Sequence, residues 1–124
     1  MKLRVRGSSL RLRLTQREVE ELASRGIVED AIAFAPATRL VYALRVSDEA
    51  LAPSARFDGA RIDVTLPASD ARAWSSSDRI GIEAEQPIGD GALLRILVEK
   101  DFACLAPRKG EDDGDAFPNP SACK

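Results

Sequence analysis

Histidine is absent from the 124 residues. With it go the commonest general base and the commonest metal ligand. Cysteine occurs twice, at Cys104 and Cys123. Two thiols without a second pair fall short of a structural zinc site, and they fit a reduced compartment as well as they fit a disulfide. The chain holds no G-x-S-x-G, no phosphate loop and no cysteine–histidine partnership. The expectation is a protein that is not an enzyme and takes no metal or cofactor. No apolar run approaches the ~18–20 residues of a membrane span. The opening Met1-Lys2-Leu3-Arg4-Val5-Arg6 has charge but no apolar block behind it, unlike a secretory signal. A cytoplasmic protein with no membrane partner is expected. The last scarcity is local: the first 17 residues hold no acid.

The composition is that of a folded protein, 44% hydrophobic and 31% charged, outside the disordered class. This length suits one domain with one core, expected over residues 1–105, with 106–124 as a C-terminal extension. The net charge of −2 conceals an asymmetry. Residues 1–25 carry seven bases and three acids, a balance of +4, whereas residues 26–98 carry seven bases and eleven acids, a balance of −4.

Apolar and cationic residues alternate over Lys2–Arg6 and Leu10–Leu14, the period of half-buried strands, with Gly7-Ser8-Ser9 as a hairpin loop between them. Leu3, Val5, Leu10, Leu12 and Leu14 face inward in this reading, and Lys2, Arg4, Arg6, Arg11 and Arg13 face out. Thr15-Gln16-Arg17-Glu18 matches a capping box. Val19, Leu22 and Ala23 supply a helical stripe, and Gly26 a stop. Strands over Ile27–Phe34 and Arg39–Val46 complete a ββαββ unit. The pattern recurs 52 positions on. A strand at Ala55–Phe57, an Asp58-Gly59 turn, a strand at Arg61–Leu66, a helix from Pro67 to about Trp74, and strands at Asp78–Glu85 and Ala92–Val98 follow in order. Gly7 then falls on Gly59, and Tyr42, Leu44 and Val46 on Leu94, Ile96 and Val98. The expected fold is α+β: a tandem ββαββ repeat (residues 2–46 and 54–98) whose halves share one small core about a pseudo-twofold axis. That core is barrel-like or sandwiched, with two short helices. Trp74, Phe34, Phe57, Phe102 and Tyr42 read most simply as core.

Ala60–Pro67, Ala71–Trp74 and Asp78–Glu83 together resemble the AbrB/MazE group of swapped-hairpin regulators and antitoxins, which includes the tandem MraZ regulators. Arg6–Leu14 resembles the antitoxins' strand entry, with Thr15 in place of the usual proline. The resemblance implies a DNA-contacting role for Arg4, Arg6, Arg11 and Arg13. By likeness to MazE-type antitoxins, it implies a partner-binding role for the acidic extension, through Glu111, Asp112, Asp113, Asp115 and Phe117. The chain as a whole is similar to a small uncharacterised bacterial family with an E-K-D-F-x-C-L … F-P-N-P tail, here Glu99–Leu105 and Phe117–Pro120. No activity follows from that likeness.

The basic hairpin is the leading functional feature. A two-stranded ribbon fits a DNA major groove, and alternate residues stand ~6.5–7 Å apart, near the spacing of successive phosphates along one strand. The opposing reading is a solvated face, or one neutralised by the acidic strands Ile27–Asp30 and Gly81–Glu85. The extension has three readings: it wraps a partner protein, it folds back with Phe117 as a plug, or its acids compete for the cations of the hairpin. The expected function is a nucleic-acid-binding regulator or antitoxin-like module contacting DNA through Lys2, Arg4, Arg6, Arg11 and Arg13. The alternative is an adaptor, open to oligomerisation, whose basic face and acidic tail bind each other or a partner protein.

Overall fold

The computed structural model describes residues 1–102. Eight strands and two helices follow in chain order: β1 Lys2–Arg6, β2 Ser9–Leu14, α1 Gln16–Arg25, β3 Ile27–Ala35, β4 Thr38–Ser47, β5 Ser54–Phe57, β6 Arg61–Pro67, α2 Ala68–Ser75, β7 Gly81–Gly89 and β8 Ala92–Lys100. The class is α+β, with two four-stranded sheets ordered β1-β2-β8-β7 and β3-β4-β6-β5.

Local signals account for the first helix. The Thr15 hydroxyl accepts from the Glu18 amide, and the Glu18 carboxylate accepts from the Thr15 amide at 2.9 Å. The two ends of a capping box thus satisfy each other. Gly26 ends α1 at φ +79°, and its N–H donates to the Leu22 carbonyl, the left-handed cap that glycine adopts without a Cβ penalty. Pro67 stands just outside α2 as its N-cap, where its fixed φ suits the entry but offers no capping oxygen.

Both hairpins of the first ββαββ stretch pair outside it. β2 lies parallel to β8, with Leu10 opposite Ile96 and Leu12 opposite Val98, and β6 lies parallel to β4, with Ile62 opposite Tyr42 and Val64 opposite Leu44. Each helix carries the chain from one sheet to the other, α1 from β2 to β3 and α2 from β6 to β7. One hydrophobic cluster results, drawing Leu10, Leu12, Leu14, Leu44, Val64, Leu66, Ile96 and Val98 from the two sheets and Leu22 and Trp74 from the helices. Trp74 is fully buried and donates its indole N–H to the Ile80 carbonyl at 2.9 Å. At one corner, the Gln86 amide exchanges two hydrogen bonds with the backbone of Ala55, joining β7 to β5. At the other, the Tyr42 hydroxyl donates to the Met1 carbonyl at 3.1 Å.

Several expectations change. The hairpin turns are Gly7-Ser8 and Gly59-Ala60. Arg6 pairs with Ser9, and Asp58 holds the second turn by accepting from the amides of Ala60 and Arg61. The seventh strand starts at Gly81 rather than Asp78, because Ser76–Ile80 are spent leaving α2 and closing over Trp74. The single offset of 52 therefore fails beyond the second helix. β1, β2 and α1 correspond to β5, β6 and α2 at 52, but β3 and β4 correspond to β7 and β8 at 54. The bulge between Ala33 and Ala35 then meets that between Pro87 and Gly89, and Tyr42 and Leu44 correspond to Ile96 and Val98.

Val5, Phe34, Phe57 and Phe102, expected inside, are 66%, 70%, 65% and 61% exposed. Val5 and Phe57 lie on the edge strands β1 and β5, and Phe34 lies at the far end of the long strand β3, past the shorter β5–β6 hairpin. Residues from Ala103 onward, including the extension and both cysteines, lie outside the described residues. Among the described residues no helix is long and apolar enough to cross a membrane.

Trp74→Ala is expected to cost about 3–5 kcal/mol of folding stability, as for deletion of a buried large aromatic, and Thr15→Ala about 1 kcal/mol through the lost cap. Urea unfolding followed by circular dichroism measures both.

Candidate nucleic-acid interface

The outer face of the sheet β1-β2-β8-β7 is a grid whose columns are strands. The registers set Arg4 opposite Arg11, Lys2 opposite Arg13 and Arg6 opposite Ser9. They continue with Arg11 opposite Leu97, Arg13 opposite Glu99 and Ser9 opposite Arg95, then Leu97 opposite Glu83 and Arg95 opposite Glu85. Among the described residues the face holds six cations and three acids, and it is graded: cationic over β1 and β2, acidic along β7. Two like-charged pairs, Arg4/Arg11 and Lys2/Arg13, sit directly across a ladder, an arrangement that destabilises a sheet.

Carboxylates of the same sheet edge relieve part of this crowding. One Glu99 oxygen lies 3.4 Å from Arg11 Nε and 3.5 Å from Arg13 Nε. Lys2 Nζ is 3.3 Å from Asp101. The acids that meet Lys2, Arg11 and Arg13 here are thus on β8 and just past it, and on β7 Glu83 lies 3.5 Å from Arg95. Arg11 and Arg13 share a single carboxylate and keep 27% and 26% of their side-chain surface exposed. Lys2 and Arg4 make further interactions. Lys2, Arg4, Arg11, Arg13 and the Tyr42 ring line a concavity of about 330 Å³. Burial first, then the carboxylates of Asp30 and Glu18, push the Tyr42 phenol up, so it stays a hydroxyl donor.

The other sheet answers this face with a different charge balance. Asp63 lies between two guanidiniums, accepting from Arg45 at 2.9 Å and from Arg61 at 2.9 Å, and Arg61 reaches on to Glu29. Burial raises the Asp63 carboxyl, but Arg61 and Arg45 outweigh it and hold it below the ordinary aspartate value. The five expected cations do converge on one face. Arg95, Glu99 and Tyr42 join that site without having been foreseen: alternation sets the outward side of Arg95 and Glu99, but nothing local says that their strand lies beside β2. Asp112, Asp113, Asp115 and Phe117 lie outside the described residues. Among the described residues no group of three or more carboxylates, thiols or imidazoles is placed to hold a metal ion.

Fold and site together define a two-sheet α+β protein with a cationic ribbon on one face. The chain belongs to the family of unknown function DUF7009, whose model matches residues 1–121. Comparison with curated proteins and with solved structures gave no match in either case.

The lowered Asp63 carboxyl stabilises the fold above its unfolded-state value, and that contribution is lost as pH falls through its folded value. Asp63→Asn is expected to cost about 0.5–1 kcal/mol at pH 7, the range for a partly exposed pair. The gap to the parent should close in urea titrations as pH drops below about 4.

Proposed function

We propose that this protein is a non-enzymatic nucleic-acid-binding module of the cytoplasm. Its contact surface is the outer side of β1–β2, and Lys2, Arg4, Arg6, Arg11 and Arg13 meet phosphates. The observation that carries the reading is the opposition of Arg4 to Arg11 and of Lys2 to Arg13 with one carboxylate shared between Arg11 and Arg13. Stability alone disfavours that arrangement, whereas a polyanion relieves it. Alternate residues on each strand stand ~6.5–7 Å apart, which suits phosphates at ~7 Å along one strand of a duplex.

The reading includes an ancestry. The tandem ββαββ units are taken as copies of one element arranged about a pseudo-twofold axis. Support comes from matching element bounds at offsets of 52 and 54, paired bulges and exchanged parallel ladders. Such exchange is in keeping with the AbrB/MazE likeness, which carries the DNA-binding role onto the first hairpin. Only that hairpin should bind strongly, because Asp63 stands in the second where Arg11 stands in the first. A second reading, a protein-interaction module, is favoured by the exposed Ile32, Phe34, Phe57 and Ile88 at the hairpin ends.

Fluorescence anisotropy with a labelled duplex tests the first reading. Five phosphate contacts give a slope of log K against log salt of about −4 to −5. Arg11→Ala/Arg13→Ala should weaken binding at least tenfold and reduce the slope by about 2 units. Arg56→Ala, on the other sheet, should change neither. Absence of binding at about 50 mM salt would leave the interaction reading ahead.

A further inference from the structure

The chain leaves the described fold at the edge of its own cationic face. The Asp101 amide donates to the Leu14 carbonyl at 2.8 Å, continuing the β8 ladder past the end of β2, and the Asp101 carboxylate meets Lys2 at 3.3 Å. Ten residues further on, outside the described residues, come Glu111, Asp112, Asp113 and Asp115, four acids within five positions. Ten residues span up to ~33–36 Å, and the cationic column from Lys2 to Arg6 is only ~13 Å long. The acids are therefore within reach of every cation of the ribbon. The ribbon offers them the concavity beside Lys2, Arg4, Arg11 and Arg13. The alternative berth, the groove between the start of α1 and the end of α2, carries Arg17 and Lys100 against Glu20, Asp78 and Asp101. It has no charge preference for an acidic run.

The geometry points to an intramolecular competitor: the segment Glu111–Asp115 docks on the cations of β1–β2 and must be displaced before a nucleic acid binds there. The docking stands on charge and reach. The competition rests on the reading that the ribbon binds nucleic acid. The device sets a threshold, since the apparent dissociation constant rises by the inverse of the undocked fraction. Salt weakens the docked contact as it weakens the ligand contact, so the penalty that docking adds shrinks as ionic strength rises and the full chain's salt slope is shallower than that of a chain without the acids.

Two measurements on the full chain separate the parts. The first attaches a nitroxide through Gly114→Cys in a Cys104→Ser/Cys123→Ser background and reads amide signals by NMR, with no nucleic acid present. Docking predicts broadening confined to residues 2–6 and 10–13 at low salt. It should be lost when Glu111→Gln, Asp112→Asn, Asp113→Asn and Asp115→Asn are added. Uniform broadening, or broadening centred on Arg17 and Lys100, overturns the proposal. The second measures duplex affinity of the same fourfold variant without the label. A segment docked nine-tenths of the time predicts about tenfold tighter binding. Glu20→Gln, Asp48→Asn, Glu49→Gln and Asp70→Asn, which change net charge equally elsewhere, should stay within twofold. Equal tightening by both sets overturns the competition. Confined broadening in a protein that binds no duplex sustains the docking and removes the nucleic-acid reading instead.

Discussion

The parallel ladders between β2 and β8 and between β4 and β6 are what the rest of the molecule depends on. A two-stranded hairpin is marginal by itself in water, and four hairpins left alone would each expose an apolar side. The ladders join residues about 86 positions apart in one sheet and about 20 apart in the other. Through them Leu10, Leu12 and Leu14 come to pack with Ile96 and Val98 over Trp74. Loop-closure cost rises only slowly with separation, so the long ladder is affordable once the core forms. Neither half can complete its own sheet.

The same ladder makes the charged face. Arg11 and Arg13 meet Glu99 only because β8 lies beside β2, and the face is graded only because β7 brings Glu83 and Glu85 to its far side. The two sheets solve one problem with opposite balances. On one, a single carboxylate serves two arginines that are themselves opposed by further cations. On the other, Asp63 and Glu29 neutralise Arg45 and Arg61. An overall charge of −2 therefore coexists with a strongly cationic patch, whose field is local.

Much of this was legible in the residues. Thr15, Glu18 and Gly26 mark the first helix because caps act within one turn, and the alternation in Lys2–Arg6 and Leu10–Leu14 marks both strands and the side each cation takes. What local chemistry does not encode is which strands become neighbours. That missing knowledge explains why Glu99 was not foreseen as the partner of Arg11 and Arg13, and why Arg95 was not placed beside Ser9. It also explains Val5, Phe34 and Phe57: alternation says which side a residue faces, but not which strand becomes an edge or how far a strand runs past its neighbours. The two-residue slip after α2 escaped because Leu94 and Ile96, which an offset of 52 sets against Tyr42 and Leu44, are as apolar as Ile96 and Val98, which the strand bounds set there.

The ladder pairing is the claim on which site and core both stand, and long-range NMR contacts between backbone protons test it most directly. The account predicts contacts of residues 10–14 with 96–100 and of residues 62–66 with 42–46, in the registers Leu12–Val98 and Val64–Leu44. Contacts of residues 10–14 with 42–46 instead, pairing each half with itself, would contradict it.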